Sequence, residues 1–182
     1  MKDIQEFRYE LKVPRERVAV MIGKDGTAKK ELEELTKTHI DVNSDNGEVT
    51  ITGEDTLLLY QAKEIVRAIA RGFNPDIARQ LIKQDFSLEV INLNDFARNP
   101  NDLERLKGRI IGQDGKARRT LEDLTKTNIC IYGKTVSIIG YAEDIITAKR
   151  AIEALLEGGR HGNVYKRIEK RNTDNKREAL LS

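Results

Sequence analysis

The residues in this chain best placed to do chemistry are two glycine pairs, Gly23-Lys24-Asp25-Gly26 and Gly112-Gln113-Asp114-Gly115, each with a surround of basic side chains. Each pair opens one copy of a repeat. Ile22–Ile40 reads IGKDGTAKKELEELTKTHI and Ile111–Ile129 reads IGQDGKARRTLEDLTKTNI, with Leu32/Leu121, Leu35/Leu124 and the whole LTKT segment in register. Glycines spaced in this way let a loop turn sharply and let a polyanion approach the main chain, because no Cβ stands in the way. A helix starting just after the loop adds free N–H groups and a positive dipole end, which suit phosphate. The first loop is flanked by Arg15, Arg17, Lys24, Lys29 and Lys30, against Glu16, Asp25 and Glu31; the second by Arg105, Lys107, Arg109, Lys116, Arg118 and Arg119, against Glu104 and Asp114. Both loops are expected to act as phosphate clamps, the second more strongly. Each central Asp is expected to point aside, since a carboxylate facing phosphate costs affinity.

Other chemistries lack their residues. A phosphate loop of the G-x-x-x-x-G-K-[ST] type would need glycine at Ile110 and a hydroxyl at Ala117. No G-x-G-x-x-G, H-E-x-x-H or Ser/His/Asp grouping is visible, so no catalytic residue is assigned and the chain is not expected to be an enzyme. Cys130 lies in an apolar strand pattern and is expected to be a buried structural thiol. His39 and His161 have no Cys or carboxylate at ligand spacing, so no metal and no other cofactor is expected.

The elements that must position the loops follow from hydrophobic spacing. In the first copy a strand, Phe7–Val13, leads through Pro14 into a helix with Val18, Ala19 and Ile22 on one face. The loop interrupts it, and a second helix carries Ala28, Leu32 and Leu35. LTKT marks its end, with the Leu packing inward and the threonines passing into a strand. Strands His39–Val42 and Glu48–Thr52 flank a turn-rich NSDNG, and a long helix has Leu58, Ala62, Ile65, Val66 and Ile69 on one face. The second copy repeats the order with strand Leu88–Leu93, helix Asp102–Ile111, helix Lys116–Lys126, strands Asn128–Tyr132 and Thr135–Ile139, and helix Glu143–Glu157. Asn74-Pro75 predicts a short connecting helix to about Lys83, and Asn99-Pro100 another helix start.

The fold class expected is therefore α+β, two tandem β-α-α-β-β-α domains. A repeat period of about ninety residues is too long for a solenoid and suits two small domains. Their expected limits are 1–72 and 87–159, with a linker helix at 73–86 and a tail at 160–182. The tail is basic, and it is expected to be partly disordered and to serve as an attachment segment, with Val164, Tyr165 and Ile168 as a short anchor. The net charge of +2, from 32 basic and 30 acidic residues, leaves binding to be judged locally. Trp is absent and aromatics make up 5% of the chain, which argues against aromatic stacking platforms for nucleic acid. A single cysteine and no apolar run of membrane-spanning length predict a cytoplasmic protein with no membrane partner.

A helix–GxxG–helix turn between a first strand and a β-hairpin resembles the K-homology (KH) domain, type I by its element order. Such domains clamp about four nucleotides of single-stranded RNA, with the bases over an aliphatic groove. The second copy and tail, GRIIGQDGKARRTLEDLTKTNICIYGKTVSIIG followed by AIEALLEGGRHGNVYK, resemble the archaeal KH proteins related to the eukaryotic small-subunit assembly factor Partner of Nob. The processome factor with a KRR motif is the nearest similar family. The resemblance implies binding to small-subunit ribosomal RNA near its 3′ end during maturation, beside the endonuclease that trims that end. It also implies contact with the alpha subunit of initiation factor two. A KH regulator of messenger RNA or translation is the alternative. Eukaryotic relatives commonly have a degenerate first loop, whereas Gly23 and Gly26 are both present here.

Overall fold

The computed structural model describes residues 6–181. The chain divides into two compact units between Leu88 and Glu89. In the first, β1 (Phe7–Lys12), α1 (Arg15–Ile22), α2 (Thr27–Thr36), β2 (His39–Val42), β3 (Glu48–Gly53) and α3 (Thr56–Ala70) follow the expected order. The antiparallel sheet has the order β1-β3-β2, with Tyr9 opposite Ile51 and Val42 opposite Val49. Alternation in β3 turns Val49 and Ile51 inward. Helix α3 lies across β1 and β3 and against α1 and α2, so Met21, Leu32, Ile40, Ile51 and Ile65 share one core. Leu59 is buried on α3, and the expected Leu58 is only partly covered. The stretch expected to be a separate linker forms α4 (Pro75–Ala78) and a 3-10 turn, Arg79–Ile82, both packed on α3.

The second unit repeats the plan with β4 (Phe86–Asn92), α5 (Pro100–Ile111), α6 (Lys116–Thr125), β5 (Asn128–Tyr132), β6 (Thr135–Tyr141) and α7 (Ala142–Leu156), in sheet order β4-β6-β5. Its tail is the main departure from expectation. Residues His161–Leu181 form one helix, α8, which packs on α6 and α7 and buries Val164 and Ile168 in the core of the unit. Asn172 Nδ2 donates to Leu124 O at 2.9 Å, and His161 Nε2 lies 2.8 Å from Arg109 O. Val164 and Ile168, expected with Tyr165 to anchor an attachment segment outside the fold, are instead core residues of this unit, and Tyr165 is partly buried beside them. Burial of two aliphatics a turn apart supplies what the polar remainder of the helix lacks.

LTKT recurs because it builds the corner from helix to strand. Thr36 Oγ1 donates to Leu32 O at 2.7 Å and lies 2.7 Å from Thr38 Oγ1; Thr125 and Thr127 repeat this at 2.7 and 2.8 Å. Lys37 and Lys126 between them adopt left-handed φ of 51° and 57°, ending α2 and α6. One turn back, Glu33 and Glu122 accept the Ile40 and Ile129 N–H groups at 2.7 and 2.8 Å, which ties each helix to the strand that follows. The leucine of the motif does not pack as expected in the first unit. Leu35 is 41% exposed, whereas Leu124 is partly covered beside α8.

Candidate nucleic-acid interface

Both glycine loops follow the same backbone path. The first glycine has φ 75°, ψ 176° at Gly23 and 70°, 176° at Gly112; the second has 74°, 13° at Gly26 and 73°, 13° at Gly115. The two glycines of a pair serve different needs. A Cβ on Gly112 would lie 2.6 Å from Ala117 Cβ and 2.7 Å from Ala117 N, and one on Gly23 would meet Ala28 at 2.7 and 2.8 Å. The first glycine is thus required by the fold itself, because the next helix starts directly against it. Over the second glycine no main chain stands, and only the end of one flexible side chain comes near. The nearest atoms to a Cβ there are Lys30 Cε at 4.0 Å for Gly26 and Arg119 Nη1 at 3.3 Å for Gly115. Each open glycine therefore has a cationic side chain folded back beside it, from equivalent positions of α2 and α6.

Asp25 and Asp114 owe their presence to the backbone. Their φ values are 52° and 51°, in the left-handed region where Asp and Asn are the best tolerated residues after glycine. Both are exposed. The Thr27 and Lys116 N–H groups donate to Lys24 O and Gln113 O within the loops. No side chain caps α2 or α6, so the helix starts beyond them offer their remaining N–H groups to water or a ligand.

The basic residues named from sequence separate into two sets. Arg15, Lys24 and Lys30 in the first unit, and Lys116 and Arg119 beside the second loop, make no ion pair among the described residues. The others are engaged. Arg105 pairs with Asp102 at 2.7 Å, Lys107 with Glu104 at 2.7 Å, Arg118 with Glu122 at 3.2 Å and Lys29 with Glu33 at 3.6 Å. The Arg98 N–H and the Arg105 guanidinium hold Asp102 below the usual carboxylate range. Arg109 is turned into the domain, where its Nε donates to Leu155 O at 2.9 Å and its Nη2 to Gly159 O at 2.6 Å. The apparent basic excess of the second loop is thus largely offset by pairing within its own unit, which leaves two cations free of ion pairs there against three in the first unit. Gln113 is exposed in the place of Lys24.

Arg17 makes the same bonds in the first unit, to Ile69 O at 2.9 Å and Phe73 O at 2.6 Å. The two arginines stand one helical turn apart in the repeat, yet each closes the carbonyl end of its unit's third helix, where a cation is favoured. Alignment of the copies conceals this shared role. Their position on the inner side of the first helix was the available signal.

Aliphatic surface lies near each loop. Ile22 is half-buried and Ile111 is 36% exposed, each directly before the first glycine, while Val42 and Ile131 are half-buried on the neighbouring strands. Ile40 and Ile129 belong to the cores. Cys130, expected to be buried, is only partly so. Among the described residues no group of three His, Cys, Asp or Glu could hold a metal ion, and no helix is long and apolar enough to cross a membrane.

Comparison with known proteins finds KH models on both units. A KH domain matches residues 8–68, and a eukaryotic type KH domain, KH type I, matches residues 87–173. A KH domain-containing protein of Methanocaldococcus jannaschii is 46% identical over 164 residues, covering 88% of this chain and 72% of that protein. The pre-rRNA-processing protein PNO1 of Chaetomium thermophilum is 34% identical over 113 residues, covering 60% of this chain and 44% of that protein, so the aligned region is less than half of the eukaryotic relative. Among solved structures, a chain of the a/eIF2alpha–aDim2p–rRNA complex of Pyrococcus horikoshii matches with a TM-score of 0.89 and 43% identity, over 95% of this chain and 98% of that one.

Proposed function

Because this chain belongs to the tandem KH-domain family of archaeal Dim2p and eukaryotic PNO1, the Partner of Nob, we propose that it binds single-stranded RNA through both glycine loops, and that its RNA is small-subunit ribosomal RNA near the 3′ end. The observation that carries this reading is the doubled loop geometry, in which an open second glycine, an uncapped helix start and an unpaired cation converge twice. A phosphodiester lying over Gly26 or Gly115 meets main-chain N–H groups and the Lys30 or Arg119 head group together. The aliphatic surface beside each loop receives bases without aromatic stacking. The relatives named for pre-rRNA processing support the placement in small-subunit maturation. The archaeal complex with rRNA and a/eIF2alpha supports the alpha subunit of initiation factor two as a protein partner. The role is binding and positioning of RNA, in the cytoplasm, with no step of bond chemistry assigned to the chain.

The test keeps the glycines and changes the exposed residues between them. Lys24→Asp combined with Gln113→Asp leaves the melting temperature within about 2 °C and lowers affinity for single-stranded RNA by about tenfold or more, roughly 1.4 kcal/mol. The converse pair, Asp25→Asn with Asp114→Asn, keeps a residue suited to left-handed φ and removes two carboxylates. It raises affinity by about two- to fivefold, the scale of exposed charge interactions. Fluorescence anisotropy at one salt concentration reads both. Unchanged affinity in the first variant would refute RNA binding at the loops.

A further inference from the structure

The basic charge of the C-terminal helix acquires a definite place once α8 is docked. A cleft of about 240 Å³ runs between α7 and α8. Ala151 and Ile168 are buried in it and Ala154 is half-buried, so small and aliphatic side chains make its floor. Arg150 and Arg167 are exposed and Arg171 is half-exposed, so three guanidinium groups from two helices make its rim. None of the three makes an ion pair among the described residues. Arg171 is close enough to Asp144 to favour its charged form against burial, which leaves Arg150 and Arg167 as the least compensated pair. No residue of the Gly112–Gly115 loop lines this cleft.

We propose that this cleft is a docking site for an acidic peptide segment of a partner protein, with one apolar side chain seated on the alanine floor and flanking carboxylates held by Arg150 and Arg167. Charge complementarity and the floor select this occupant together. Guanidinium groups take carboxylates through paired N–H donors, and a buried aliphatic side chain adds a comparable gain. RNA would use only half of the site. Its phosphates would meet the arginines, but the cleft has no aromatic ring or glycine turn, and the apolar floor would stay wet. The site is also particular to the second unit. In the first, Glu64 stands where α7 has Arg150, and the 3-10 turn Arg79–Ile82 packs on that helix, with Gln61 Nε2 donating to Ile82 O at 3.0 Å. The inference does not depend on RNA binding at the loops.

The probe is a short capped, fluorescein-labelled peptide of Asp and Glu around a central Leu, titrated with the full chain. A peptide with Ser for Leu and a single-stranded oligouridylate are run beside it. The Leu peptide binds about tenfold more tightly than the Ser peptide, and Arg150→Ala with Arg167→Ala removes at least about tenfold of its affinity. Both substitutions are at exposed helical positions, and a thermal melt of the variant checks the fold. Oligouridylate binding by this variant stays within about twofold of the parent. Equal binding of Leu and Ser peptides, or a variant that still binds the Leu peptide, overturns the proposal. A loss of oligouridylate affinity in place of peptide affinity overturns it too, and reassigns the cleft to nucleic acid.

Discussion

Ending the chain after Gly159 lowers the melting temperature of the second unit by at least about 12 °C. The cut removes Val164 and Ile168, which are 5% and 4% exposed, together with the Asn172 bond to Leu124 and the His161 contact at Arg109 O. Burial of such aliphatic side chains is worth about 1.5–3 kcal/mol each, so the loss is at least about 3 kcal/mol. In a domain of this size each kcal/mol moves the midpoint by roughly 4–8 °C. It also uncovers Leu124 and the alanine surface of α7. Ending the chain after Asn172 provides the control, because residues 173–180 are all exposed. That shorter cut leaves the midpoint nearly unchanged. Scanning calorimetry on both truncations decides the matter, and a cut after Gly159 that melts with the intact chain would contradict the docked helix.

Gly112→Ala unfolds the second unit or destabilises it by several kcal/mol, whereas Gly115→Asn folds and fails chiefly in binding. At φ 70°, ψ 176° the first glycine occupies a region open in practice only to glycine, with a cost of about 1–3 kcal/mol for another residue. The added Cβ must also displace the main chain of Ala117, 2.7 Å away, and overpacking of this kind costs about another 1–3 kcal/mol. Gly115 has left-handed φ and ψ, which Asn tolerates, and only the mobile end of Arg119 lies near its Cβ position. Its substitution therefore mainly fills the space where a phosphate would pass. Denaturant titration separates the two variants. Replacing both glycines of a loop at once would confound folding with binding. Equal stabilities for Gly112→Ala and Gly115→Asn would show that the division of roles is wrong.

The fold was legible because the repeat made every element appear twice, so strand His39–Val42 supported Asn128–Tyr132 and the LTKT corner marked the same junction in both copies. Element ends moved by a residue or two, as frayed helix starts and strand edges do. The C-terminal helix was concealed by its own chemistry. Its docked stripe is His161, Val164, Ile168 and Asn172, and two of these are polar residues that a hydrophobic pattern passes over. At the loops, composition identified the basic surround but not its internal pairing. Glu104, Glu122 and Asp102 stand three or four residues from their partners on the same helices, the spacing at which opposite charges meet, and that spacing was the missed signal. The inward arginines could not be found by aligning the copies, because Arg17 and Arg109 occupy non-equivalent positions and converge only in space.

Ultraviolet crosslinking of the full chain to a single-stranded RNA bearing the small-subunit 3′ end, with the attached peptides identified by mass spectrometry, tests RNA binding at the glycine loops most directly. The account predicts crosslinks in peptides spanning 22–31 and 111–120, lost from the first loop by Lys24→Asp and from the second by Gln113→Asp. Crosslinks confined to α8 or to the strands, with both loops unlabelled, would contradict it.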